Sequence, residues 1–247
     1  MTLLGSTPLL LVLVAIFTIA VLYSAVGHGG GSGYIAIMAL CSLPMSVVKP
    51  TSLLLNILVA LLAVYAYTRA GHFRWEVFWP FAATSIPFSF FGGAITLPSN
   101  YLKPVLGVIL ICAAWRLIST GVQQGETVQP SFATALIIGA SLGFLSGLTG
   151  VGGGIFLSPI LLYCRWAEPR EASGIAALFI LVNSVAGLLG HVASLGNVPS
   201  SIYWLALAAI FGGMLGSSLG SRVLSTRLIL RALSIVLVVA GGKLVLV

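Results

Sequence analysis

The chain has 247 residues, of which 59% are hydrophobic and 6% charged. So few charges cannot cover a soluble protein of this length, and the apolar runs are continuous rather than alternating, which sets aside both a soluble domain and a transmembrane barrel. The net charge of +7 comes from 11 Lys and Arg against 4 acidic residues, with the basic residues standing singly at the ends of apolar runs. That is the pattern of positive-inside sorting, not of a nucleic-acid surface, which needs a basic cluster.

The first apolar run, residues 8–26, has no basic segment before it and reads as a membrane segment rather than a cleaved signal peptide. It ends in Gly27-His28-Gly29-Gly30-Gly31-Ser32-Gly33, which no stable helix tolerates. A short run, 33–43, follows, then long runs at 51–68, 78–97 and 102–118. The most polar connection, 119–130, lies near mid-chain. Beyond it come 131–149, the cluster Gly150-Val151-Gly152-Gly153-Gly154, a short run at 155–164, and long runs at 172–192, 201–220 and 228–247. Eight runs are long enough to cross a hydrocarbon core of about 30 Å at about 1.5 Å per residue. The two short ones each follow a glycine cluster. Cys41, Cys112 and Cys164 lack metal-ligand spacing and read as buried free thiols.

A shift of 123 residues lays the first glycine cluster on the second and aligns Leu22 with Leu145, Ile37 with Ile160 and Cys41 with Cys164. Phe90 to Gly93 resembles Ile210 to Gly213 after a small change of offset. The expected fold is an all-α polytopic membrane protein of two repeats, 1–124 and 125–247. Each repeat is a broken or re-entrant helix pair followed by three transmembrane helices. If each pair enters and returns on one side, Lys49, Lys103 and Lys243 face eight arginines: Arg69, Arg74, Arg116, Arg165, Arg170, Arg222, Arg227 and Arg231. If each pair counts as one crossing, the split is 4 against 7. The first arrangement obeys the positive-inside rule better, inverts the second repeat and leaves both termini extracytoplasmic.

Backbone groups broken open in lipid need partners, so such breaks survive where they line a polar cavity. Helices starting near Ser32 and Ile155 would bring two N-termini into the membrane interior, each with free N–H donors and roughly half a positive charge. Glycine lets an anion approach the backbone closely. The chain has no Asp, and Glu76, Glu126, Glu168 and Glu171 all fall in connections, unlike a cation or metal carrier. The spacing therefore predicts an anion site and no cofactor. Its expected lining is His28, Gly29, Gly30, Gly31 and Ser32 from the first break, and Gly152, Gly153, Gly154 and Ile155 from the second. His28 can donate to the anion or carry a coupled proton. Thr51, Ser52, Asn56 and Asn183 add neutral donors, with Ser173 and Ser184 nearby. Interhelical hydrogen bonding is the competing reading for these polar residues, and close helix packing for the glycines. His72 and His191 read as interfacial, and Lys49 as snorkelling to the surface.

The stretches "GHGGGSGYIAIMAL…KPTSLLLNILVALLA" and "GLTGVGGGIFLSPILLY…EASGIAALFILVNSVAGLLG" resemble the two halves of the TauE/SafE (sulfite exporter, DUF81) family of membrane transporters, over essentially the whole chain. The resemblance implies a permease or exporter, mostly of bacterial inner membranes, for small sulfur-containing anions such as sulfite, thiosulfate or organosulfonates. The half-sites differ: His28 and Ser32 stand where the second repeat has Val151 and Ile155, and the Thr51-Ser52 pair has no counterpart. The expected mechanism is alternating access by rocking of the two repeats. A coupled proton or sodium ion and a homo-oligomer stay open. So do a passive channel, an intramembrane serine hydrolase built on Ser32 and a histidine, and a non-transporting scaffold.

Overall fold

The computed structural model describes residues 9–41, 43–95, 107–108, 111, 114–115, 126–191 and 202–246. The first half contributes α1 (Leu9–Ser24), α2 (Gly31–Leu40), α3 (Met45–Arg69) and α4 (Trp75–Ala94). The second contributes α5 (Phe132–Thr149), α6 (Gly154–Tyr163), α7 (Pro169–Gly190), α8 (Ile202–Ser218, prolonged by a π-helical turn Leu219–Val223) and α9 (Thr226–Leu246). Among the described residues there is no strand. The protein is an all-α, multi-pass membrane protein. Among the described residues, four helical stretches are long and apolar enough to cross a membrane: Ser46–Arg69, Phe132–Thr149, Pro169–Gly190 and Ile202–Val223. Of the other expected crossings, 8–26 appears as the 16-residue α1, and 78–97 as α4, a continuous helix that contains Pro80 and Pro87. The run 228–247 forms most of α9, and 102–118 lies largely outside the described residues, with Lys103, Cys112 and Arg116. The two short helices appear as expected, each starting one residue before Ser32 or Ile155.

Helices α3 and α7 pack together at the centre and run antiparallel. Tyr67, near the end of α3, touches Gly174 at the start of α7, while Lys49, near the start of α3, acts on His191 at the end of α7. Helix α8 packs along α1, and α5 along α4. Both contacts are made by glycines four residues apart, a spacing that keeps them on one helix face. A Cβ at Gly212, Gly216 or Gly220 would lie 2.5, 2.1 or 2.1 Å from the carbonyl oxygens of Phe17, Val21 and Ala25. A Cβ at Gly139, Gly143 or Gly147 would lie 2.4, 2.2 or 2.0 Å from those of Phe81, Ser85 and Ser89. Apolar burial does not drive helices together in lipid, so this close backbone approach is the attractive term. Neither stripe was singled out in the sequence; only the Gly92-Gly93 and Gly212-Gly213 pairs were.

The connections identify the two ends of the bundle. The Val128 N–H donates to the Arg165 carbonyl at 2.9 Å, so the chain entering α5 meets the chain leaving α6. Arg74 donates to Thr127 Oγ1 (3.1 Å) and the Trp166 carbonyl (3.4 Å) and pairs with Glu171 at 3.7 Å; Arg170 donates to the Leu224 carbonyl at 2.8 Å. Arg74, Arg165 and Arg170 thus share one end. Counting each broken pair as a single crossing would have put Arg74 and Arg170 on opposite sides. Lys49 and His191 mark the other end, from which α1 sets out.

Candidate functional site

Both glycine clusters break the chain by left-handed backbone. Gly27 and Gly30 have φ of +75° and +95°; Gly150, Gly152 and Gly153 have +75°, +89° and +75°. Side chains with a Cβ disfavour this region, which is why glycine recurs here. Gly153 is the N-cap of α6 and supplies no side-chain cap, and Gly154 and Phe156 donate to the Gly152 and Gly153 carbonyls, each at 3.0 Å. The first-turn N–H groups of α2 have no carbonyl one turn earlier within their helix.

The two breaks meet at the middle of α3 and α7. A Cβ on Gly29 or Gly31 would lie 2.6 or 2.3 Å from the Asn56 side chain, and one on Gly152 would lie 3.1 Å from it. From the other side, Ile180 packs on Gly29, Gly152 and Gly154. Asn56 Nδ2 donates to the Val151 carbonyl at 3.1 Å. One turn earlier, Ser52 Oγ lies 3.1 Å from the Gly31 carbonyl and 3.4 Å from that of Gly150. Polar residues of the first half therefore hold the second half's break. Glycine is required here for contact as well as for φ.

His28 is 1% exposed, and its Nε2 lies 2.9 Å from Ser158 Oγ on α6. Ser158 donates in turn to the Gly154 carbonyl at 3.2 Å. Ser32 sits 2.9 Å from the hydroxyl of Tyr23. The histidine of the hydrolase reading thus pairs with a different serine from the one expected. Ser158, Tyr23, Tyr34 and Ile180 were missed in the sequence. Tyr34, whose ring would lie 2.6 Å from a Cβ on Gly30, stands one turn after the break, and Ser158 one turn after Gly154. A search one turn beyond each break would have found both.

Of the remaining expected residues, Thr51, Gly153, Gly154 and Ile155 are buried, and Ser184 lies against Gly152. Ser173 packs on Gly27. Asn183 is directed elsewhere: it donates to Ser85 Oγ on α4 (3.1 Å) and to the Phe179 carbonyl (2.8 Å), and its own carbonyl accepts from Ser89 at 2.7 Å. It lies about one helical turn past Ile180, rotated toward α4. Cys41 and Cys164 are free but half-buried, not sealed in the core. His191 caps the end of α7 and is buried there, and burial together with Lys49 lowers its pKa. His72 follows α3, with its pKa lowered by burial and by Arg170. The Lys49 stem lies beside Gly150, where a Cβ would stand 3.6 Å from it.

Several buried polar atoms around the breaks have no hydrogen-bond partner: His28 Nδ1, Tyr34 Oη, Thr51 Oγ1, Asn56 Oδ1, Ser146 Oγ and Ser184 Oγ. Unpartnered polar atoms are costly in a protein interior, and most here are hydroxyls able to donate. All four Glu residues lie in or beside the connections of the arginine end. Among the described residues no cluster of His, Cys, Asp or Glu could hold a metal ion.

The family model described as sulfite exporter TauE/SafE matches residues 11–244. The chain belongs to this family. Members are membrane transporters, not enzymes. The chain is 38% identical to a probable membrane transporter protein, y4hK, of Sinorhizobium fredii, over 94% of this chain and 96% of that one. It is 25% identical to probable membrane transporter protein MJ0441 of Methanocaldococcus jannaschii, over 86% of each chain. It is 24% identical to YdhB of Bacillus subtilis, over 86% of this chain and 89% of that one. No solved structure matches. The TauE/SafE match spans both breaks and every described helix except the first residues of α1 and the last of α9.

Proposed function

We propose that this TauE/SafE protein carries small sulfur-containing oxyanions, such as sulfite, thiosulfate or organosulfonates, across a bacterial inner membrane by alternating access. The observation that carries the reading is the meeting of two glycine breaks at mid-depth, where α2 and α6 both begin. Each N-terminus adds roughly half a positive charge, and unspent hydroxyls surround them. The anion binds to backbone N–H groups of Gly29 to Ser32 and of Gly152, Gly153 and Ile155, with His28, Thr51, Ser52 and Asn56 beside it; Gly154, whose N–H is given to the Gly152 carbonyl, lines the site by its lack of a side chain. Asn183 acts on the α4 side and supports the site from outside.

The two repeats are inverted in this reading. The hairpin α1–α2 opens toward the Lys49 end and α5–α6 toward the arginine end, which places the arginine end in the cytoplasm and both termini outside. Rocking of whole repeats does not suit the packing, because α1 is tied to α8 and α4 to α5 across the halves. The moving bodies are instead these two mixed pairs, turning about α3 and α7.

Uptake of radiolabelled sulfite, thiosulfate and a small sulfonate into proteoliposomes tests the reading. Saturable uptake of one anion is expected, abolished in Gly30→Leu and Gly153→Leu proteins that still elute as folded species. Unsaturable current through a clamped bilayer would make the protein a channel; no flux of any anion would leave a scaffold.

A further inference from the structure

The hydrogen bonds around His28 bear on which of its nitrogens carries the proton. Ser158 has one hydroxyl hydrogen and two acceptors within reach, the Gly154 carbonyl at 3.2 Å and His28 Nε2 at 2.9 Å. Given to the carbonyl, that hydrogen leaves Ser158 Oγ to accept from His28, with the imidazole proton on Nε2. Nδ1 is left as a bare lone pair, buried and without a partner. Tyr23 stands beside the ring, 6.5 Å between centroids. Elements packed on this break bring phenols, hydroxyls and an amide: Tyr23 from α1, Ser32 and Tyr34 from α2, Asn56 and Tyr67 from α3, Ser158 from α6 and Ser173 from α7. The charged residues of these helices, Lys49, Arg69, Arg170 and Glu171, lie near their ends.

A neutral histidine with an unshared lone pair repels an anion; the same ring protonated at Nδ1 attracts it. We infer that His28 Nδ1 is the proton-coupling site of the carrier, taking up one proton with each anion bound at the glycine breaks and releasing both on the other side. Ser158 is its positioning residue: by holding Nε2–H it reserves Nδ1 for the travelling proton. The inference rests on the anion-carrier reading. Because binding of proton and anion is linked, each strengthens the other by the same factor. A monovalent sulfonate then moves with one proton and no net charge.

The test uses the full-length protein in proteoliposomes with a small sulfonate, an internal pH dye and a set membrane potential. One proton should enter per sulfonate, and accumulation should rise about tenfold for each pH unit by which the outside is more acid than the inside, unaffected by the potential. His28→Gln keeps a donor for Ser158 but has no second basic nitrogen. Sulfonate exchange should fall, because the ring also stands beside the anion, and the exchange that remains should lose all response to the gradient. Saturable sulfonate flux that follows the potential and ignores pH overturns the proton site alone, and the wild-type protein suffices for that result. Absence of flux for every anion overturns the carrier reading and the proton site with it. A pH-driven flux that survives in His28→Gln also overturns the assignment.

Discussion

The two glycine breaks share a backbone device and differ in everything that surrounds it. The first, residues 25–30, carries His28 and meets Tyr23, Ser32 and Tyr34. The second, residues 150–153, carries Val151 and is followed by Ile155. Helix α3 offers Ser52 and Asn56 to both breaks, whereas α7 offers mainly Ile180, with Ser184 at Gly152. The two breaks thus each start a short helix at the middle of α3 and α7, while the polar chemistry gathers on one side. The backbone requirement is strict, because only glycine meets it; the lining is free to diverge.

The sharpest contrast is between Gly27 and Gly150, which the 123-residue shift aligns and which share a φ of +75°. A Cβ at Gly27 would stand 2.0 Å from the Ser173 carbonyl, but one at Gly150 stays 3.6 Å from Lys49. Gly27→Ala should therefore fail to give a monodisperse protein in detergent. Gly150→Ala should fold, with only the left-handed penalty of about 1–2 kcal/mol. Equal behaviour of the two on size-exclusion chromatography would erase the contrast.

A second pair separates Asn56 from Asn183. Asn56→Ala leaves the Val151 carbonyl unpaired, a loss of about 1–3 kcal/mol, and should lower anion affinity about tenfold or more. Asn183→Ala should cost about 1 kcal/mol of stability through Ser85, with anion affinity unchanged. Anion-dependent thermal shifts of the two variants read both quantities. Matching losses of affinity would restore a symmetric polar shell.

Serine variants refine the comparison further. Ser158→Ala should broaden the pH response of transport by freeing the His28 ring, while Ile155→Ser should gain no affinity and lose about 1–2 kcal/mol from a newly buried hydroxyl. A pH profile identical to wild type in Ser158→Ala would remove Ser158 from the mechanism. The smallest effect belongs to the arginine end. Arg74→Ala removes a 3.7 Å pair whose side chains are each 23% exposed, and should cost under about 1 kcal/mol, less in high salt.

Much of this was readable along the chain. Glycine clusters betray a break because no other residue takes left-handed backbone so cheaply, and apolar runs betray spanning helices because lipid leaves no choice. The short helices were placed within three residues for that reason, and of the eight arginines expected on one side, Arg74, Arg165 and Arg170 share an end. Side-chain partners were not readable. Asn56 reaches a carbonyl 95 positions away, and His28 a hydroxyl 130 positions away. Asn183 was expected beside the breaks and faces α4, because its position around the helix depends on what packs there.

By itself, then, the sequence determined the all-α membrane class and the two breaks, since each follows from local backbone preference or from the solvent. Tertiary structure alone decided that Ser52 and Asn56 clamp both breaks, that the glycine stripes tie α1 to α8 and α4 to α5, and that Ser158 holds His28. These are contacts between segments far apart in the chain, where geometry, and not composition, selects the partner.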